Sequence, residues 1–92
     1  MLDYKFVQEG FTLTEQKNND DFEFTIVIKD TERYLPAMKQ IREQFDRDGI
    51  YTDVLFYVHK NNEYQIIVRP EYYIDFILCL FKYQFVNSVN WI

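Results

Sequence analysis

The sequence predicts an α+β domain: two ββα units in tandem, with a four-stranded antiparallel sheet and two helices packed on one face. At two places in the chain, apolar and polar residues alternate on both sides of a polar turn, which is typical of half-buried antiparallel hairpins. Each hairpin precedes a segment whose apolar residues have helical spacing. A chain of 92 residues holds one hydrophobic core, so we expect a single domain over residues 1–92, with units at 1–49 and 50–92.

The first unit is predicted to be a hairpin followed by a helix. Apolar and polar residues alternate over residues 11–14 and 22–28, on either side of a polar turn. The earlier apolar residues Leu2, Tyr4 and Phe6 alternate with the opposite parity to Phe11 and Leu13. A β-bulge at Gly10 would bring the two sets into register. One apolar stripe predicts the helix, with a start near Tyr34, Pro36 in its first turn and a stop at Asp48-Gly49. The stripe consists of Tyr34, Met38, Ile41 and Phe45.

The second unit repeats this pattern. Strands over 50–59 and 63–69 flank a turn at 60–62, and Pro70 opens a helix that runs to about Asn87. Alignment of the two units supports a genuine repeat, although any two ββα units share much of this binary pattern. The alignment predicts that the core stripe of the second helix consists of Ile74, Leu78, Phe81 and Phe85.

Charge is distributed unevenly between the two units. Residues 1–49 carry 18 charged side chains and residues 50–92 carry only seven, within a chain of net charge -5. The second unit therefore has more apolar side chains than one core stripe and one sheet face require. Apolar side chains outside the core are typical of protein–protein interfaces. The candidate interface residues are Tyr51, Leu55, Tyr57, Ile67, Tyr73, Phe76, Leu80 and Tyr83. The alternative is that the N-terminal segment or the tail Val89–Ile92 covers this surface within one chain.

Residues that carry chemistry are few. With only Gly10 and Gly49, the chain has no glycine-rich phosphate loop, and Cys79 and His59 alone cannot form a Cys/His zinc site. The acidic clusters lack the pattern of a calcium loop. We therefore expect that the chain is not an enzyme and binds neither a metal ion nor a cofactor. The net negative charge and dispersed basic residues argue against nucleic-acid binding.

The sequence also predicts a cytoplasmic protein, since its longest apolar run, residues 76–81, is much shorter than the ~20 residues of a membrane span. The composition suits an AT-rich bacterial or phage genome. The leading hypothesis for function is a non-enzymatic interaction module that forms a homodimer through its C-terminal unit. Two alternatives remain open: an acidic inhibitor, immunity-type protein or nucleic-acid mimic that binds a basic partner, and a small-molecule binder with a pocket between the second helix and the sheet.

Overall fold

The computed structural model describes residues 2–46 and 53–92 and has two helices and two antiparallel sheets, which confirms the α+β class. The predicted helix stop at Asp48-Gly49 and the predicted strand start at Ile50 lie outside the described residues. The elements follow one another as β1 (Leu2–Lys5), β2 (Phe11–Asn18), β3 (Asp21–Ile28), α1 (Thr31–Asp46), β4 (Val54–His59), β5 (Glu63–Val68), α2 (Tyr73–Lys82) and β6 (Ser88–Trp91).

The larger sheet has four strands in the order β2-β3-β5-β4, so the two hairpins meet through β3 and β5. Asn19, at the tip of the first hairpin, has a positive φ of 58°, and Asn61 and Asn62, at the tip of the second, have φ of 63° and 59°. Asparagine tolerates this left-handed conformation better than most residues, which explains why both polar turns are rich in asparagine.

Helix α1 begins at Thr31, three residues before the predicted start. The Asp30 side chain accepts a hydrogen bond from the backbone N–H of Arg33 at 3.3 Å, as a capping residue does. Pro36 consequently lies inside the helix and not in its first turn as predicted. The predicted stripe is confirmed, since Tyr34, Met38 and Ile41 are buried and Phe45 packs partly buried against the core.

Helix α2 ends at Lys82, five residues before the predicted end at Asn87. Gln84 has a φ of 67°, and its N–H donates to the carbonyl of Phe81 at 3.1 Å. The N–H of Phe85 donates to the carbonyl of Leu80 at 2.9 Å. These two bonds form a Schellman motif, which usually has glycine at the left-handed position. Glutamine at that position gave the sequence no helix-stop signal.

The core-facing side of α2 differs from the prediction. Phe76, Ile77 and Leu80 are fully buried, whereas Ile74, Leu78 and Phe81 of the predicted core stripe are exposed. Phe85 is buried as predicted, but it lies beyond the helix end, where its ring centroid is 5.0 Å from those of Phe11 and Tyr34. Because α2 is apolar around most of its circumference, apolar spacing alone did not determine which side is buried.

The smaller sheet joins the two ends of the described chain. Strand β1 pairs antiparallel with β6, with Leu2 opposite Trp91 and Lys5 opposite Ser88. The two alternating sets near the N-terminus therefore belong to different sheets, and the expected β-bulge at Gly10 is replaced by a connection between them. Gly10 has a φ of 89°, and its carbonyl accepts hydrogen bonds from the N–H groups of Lys29 and Asp30.

Candidate interaction surface

Strand β4 forms one edge of the larger sheet and carries several exposed apolar side chains. It pairs with β5 on one side and with no other strand of the described ranges on the other. Its six residues contain no proline and no Asp, Glu, Lys or Arg. Leu55 and Tyr57 are each 46% exposed and Val58 is 50% exposed. Natural sheets usually protect such edges with charges, prolines or bulges, and β4 has neither charges nor a proline.

The sheet face opposite the core changes from apolar to polar between β4 and β2. Leu55 lies beside Ile67 of β5, and both contribute apolar surface to this face. The row through Tyr57 continues across the sheet through Gln65, Thr25 and Thr14. His59 Nε2 lies 3.0 Å from Gln65 Oε1 at the end of the hairpin. The apolar part of the open face is therefore concentrated at the β4 edge.

The opposite edge, β2, is protected. Its exposed side chains Thr14, Gln16 and Lys17 are polar or charged. The side-chain amide of Gln16 donates to Glu23 at 2.9 Å, and Lys17 lies 4.6 Å from the ring centroid of Phe22. Polar and charged side chains make β2 a poor template for pairing, whereas β4 lacks them.

Seven of the eight candidate interface residues are described, and they fall into three groups. Leu55 and Tyr57 are exposed, and three others are half-buried, namely Ile67, Tyr73 and Tyr83. Phe76 and Leu80 are fully buried in the core, so they are unavailable to a partner that leaves the fold intact. This corrects their assignment to the interface. The predicted core stripe lies mainly on the outer side of α2, and Phe76 and Leu80 occupy the core instead. Tyr51 lies outside the described residues.

The outer side of α2 forms a second apolar surface, which the sequence reasoning missed. Ile74, Leu78 and Phe81 are 41%, 48% and 47% exposed. Spacings of four and three residues place them on one stripe of the helix. The signal that could have located this solvent-facing side is the position of the charged residues Asp75 and Lys82, which fall beside the stripe.

Two clefts lie at the margins of α2. One, of about 520 Å³, is lined partly by Phe81 and by two cations, Arg33 and Lys82. The other, of about 360 Å³, lies between α1 and α2 and is lined partly by Leu78 and Cys79. Burial raises the pKa of the Cys79 thiol to about 11, so this cysteine is a neutral thiol at neutral pH and a poor nucleophile.

A polar cluster ties the smaller sheet to the larger one and to α2. The Glu15 carboxylate of β2 accepts hydrogen bonds from the hydroxyls of Tyr4 in β1 and Tyr73 in α2, the latter at 3.1 Å to each oxygen. Burial, followed by the hydrogen bond and the charge of Glu15, raises the pKa of Tyr4 above its usual value. The pKa of Tyr73 is also raised above its usual value, first by burial and then by the charge and hydrogen bond of Glu15. Both phenols are therefore neutral donors at physiological pH.

Replacing Glu15 with glutamine is expected to lower the pKa values of Tyr4 and Tyr73, because it removes a charge that disfavours both phenolates. Both pKa values should remain above those of exposed tyrosines, since burial persists. In the wild type, the unfolded chain loses these phenolic protons at lower pH than the folded chain, so stability should fall as pH rises above about 10. NMR titration with ring-labelled tyrosine measures the shifts, and Tyr4→Phe and Tyr73→Phe assign the signals. Unchanged titration in Glu15→Gln would contradict the cluster.

Comparisons with protein-family models, with curated proteins and with solved structures gave no match to this chain. Among the described residues, no three Asp, Glu, His or Cys side chains are grouped so that they could hold a metal ion. Within the same ranges, neither helix has the length and hydropathy needed to cross a membrane.

Proposed function

We propose that this chain is a non-enzymatic protein–protein interaction module that associates with a second copy of itself through strand β4. The observation that carries the proposal is the uncharged edge Val54–His59 with its exposed Leu55, Tyr57 and Val58. Unpaired backbone groups on an edge strand supply hydrogen bonds to an added strand, and the exposed side chains supply apolar contact.

Two-fold symmetry restricts how two copies of β4 can pair. An axis perpendicular to the sheet pairs the strands antiparallel and keeps both open faces on the same side. A register centred on Phe56 then places Leu55 opposite the partner's Tyr57 and Val54 opposite the partner's Val58. It also places Asp53, which is in an ion pair with Arg69 at 3.4 Å, opposite the partner's His59. The four-stranded sheets of the two copies become continuous in this arrangement.

The expected strength of this association is modest. Complete burial of a large apolar side chain contributes about 1.5–3 kcal/mol, but about half of the surface of these exposed side chains is already covered in the single chain. Association also costs several kcal/mol in lost rigid-body freedom. We therefore expect a reversible dimer with a dissociation constant on the order of micromolar.

Sedimentation equilibrium of the wild type and of Tyr57→Lys tests the proposal. The wild type is expected to dimerise at tens of micromolar, and Tyr57→Lys is expected to be monomeric because its charge lies on the pairing edge. Thr14→Lys is the matched control, since Thr14 lies in the same cross-strand row on the opposite edge and should leave dimerisation intact. A wild type that remains monomeric, or Tyr57→Lys that dimerises like the wild type, would overturn the proposal.

Salt dependence separates this proposal from binding of a basic partner by the acidic first unit. Apolar contact and strand pairing tolerate salt, whereas attraction between an acidic surface and a basic partner weakens as salt screens it. Binding of a basic partner that disappears between low and high salt would favour the acidic inhibitor or nucleic-acid mimic. Self-association through β4 should persist at both salt concentrations.

We also infer that β2-β3-α1 and β4-β5-α2 are two copies of one unit, with both helices on the same sheet face. The strand order supports a repeat, because the second strand of each hairpin is central and the first is at an edge. Ring contacts support packing on one face, since Phe45 of α1 and Phe76 of α2 both lie near Phe56, with centroids 6.4 Å and 6.5 Å away.

A further inference from the structure

We propose that the outer face of α2 is a second self-association surface, against which α2 of another copy packs antiparallel. This face consists of the apolar stripe Ile74, Leu78 and Phe81 with the charged residues Asp75 and Lys82 beside it. The proposal concerns a surface separate from β4 and does not depend on pairing through that strand.

The burial pattern shows that α2 has apolar side chains on two sides. Phe76, Ile77 and Leu80 fill the core, yet the stripe on the opposite side remains 41–48% exposed. A helix that is apolar over most of its circumference is usually covered on more than one side. No other element of the described ranges covers the stripe, so a second molecule is the natural cover.

The charges beside the stripe are arranged in a polar order along the helix. Asp75 is in the first turn and Lys82 in the last, and a spacing of seven residues places them on the same flank. Neither makes an ion pair with another described residue. Lys82 lies 5.5 Å from the ring centroid of Tyr83, a contact that leaves its ammonium group accessible.

This charge order favours a second copy in the antiparallel direction. A two-fold axis near Leu78 places this residue against the partner's Leu78, and Ile74 against the partner's Phe81. On the flank, Asp75 then lies against the partner's Lys82, and the same pair recurs by symmetry. Parallel packing about a two-fold axis would instead place this flank of each helix on opposite sides of the interface, so Asp75 and Lys82 would not meet. Self-complementarity is what a two-fold interface requires, and this short helix face provides it.

The size of the face indicates the strength of the contact. Ten residues of α-helix extend about 15 Å, which is short for a stable dimer interface. We therefore expect this contact to form at higher concentration than pairing through β4. A chain with both contacts assembles into a closed tetramer or into a linear array with alternating interfaces.

Charge reversal in a Tyr57→Lys background tests the α2 contact alone. At hundreds of micromolar this background is expected to self-associate, and Asp75→Lys or Lys82→Glu should each weaken association about tenfold by creating like-charge pairs. The double variant Asp75→Lys/Lys82→Glu should recover the affinity of the background. An equimolar mixture of the two single variants should associate more tightly than either alone, because the opposite charges then face each other.

Charge changes on α1 are the controls for the charge changes on α2. Glu32→Lys and Lys39→Glu make matched charge changes on exposed positions of α1 and should have no effect. Circular dichroism should show that every variant is folded. A Tyr57→Lys background that stays monomeric, or a double variant without recovery, would overturn the α2 contact. Neither result would affect wild-type dimerisation through β4, so the two proposals fail separately.

Discussion

Replacing Phe76 with alanine is expected to lower the free energy of unfolding by about 3–5 kcal/mol, because it leaves a cavity in the core. Phe76 is fully buried, and its ring centroid lies 4.8 Å from that of Phe24 and 6.0 Å from that of Phe45. The total stability of a small domain is about 5–15 kcal/mol, so this loss removes a large part of it. Chemical denaturation monitored by circular dichroism measures the change.

Phe81→Ala is the matched control for Phe76→Ala, since it removes the same side chain from the opposite side of the same helix. Phe81 is half-exposed, and alanine has a high helix propensity, so we expect a loss of about 1 kcal/mol or less. The two variants together determine which side of α2 faces the core. Equal losses, or a larger loss for Phe81→Ala, would contradict the structure and favour the stripe predicted from the sequence.

Replacing Gly10 with alanine is expected to cost about 2–4 kcal/mol, for two reasons. The φ of 89° is rarely adopted by residues with a side chain, and an added Cβ would lie 2.8 Å from Cε2 of Tyr34. The Tyr34 ring cannot move away easily, because it is buried against Phe11 with centroids 4.9 Å apart.

Gln8→Ala is the control for Gly10→Ala, because Gln8 is an exposed residue in the same connection. Its effect on the free energy of unfolding should be within about 0.5 kcal/mol. Thermal or chemical denaturation compares the two variants. If Gly10→Ala were as stable as Gln8→Ala, the close approach between Gly10 and Tyr34 would be wrong.

Local patterns predicted the hairpins and the buried side of α1 because the deciding information lies within a few neighbouring residues. Alternation and polar turns gave the four strands of the larger sheet, and one apolar stripe bordered by charges gave α1. Helix α2 has apolar residues on both sides, so its phase depends on which of them the sheet and α1 can accommodate. That choice is made by packing and is not contained in the spacing alone.

The remaining features depend on contacts between residues far apart in the sequence. The cluster of Tyr4, Glu15 and Tyr73 joins three elements, and no local pattern marks these residues as partners. For the candidate surface, the unequal charge of the two units predicted apolar surface on the second hairpin, where Leu55 and Tyr57 are exposed. The sequence did not indicate that β4 would be an edge, because this follows from the order in which the hairpins join.

The pairing of β1 with β6 has a consequence for how the chain acquires its structure. The residues between these strands comprise nearly the whole sequence, so closing this contact early would restrict almost every other segment before it had folded. During synthesis, Leu2–Lys5 emerge long before Ser88–Trp91 are made. Strand β1 therefore cannot form its pairing until Ser88–Trp91 have been synthesised.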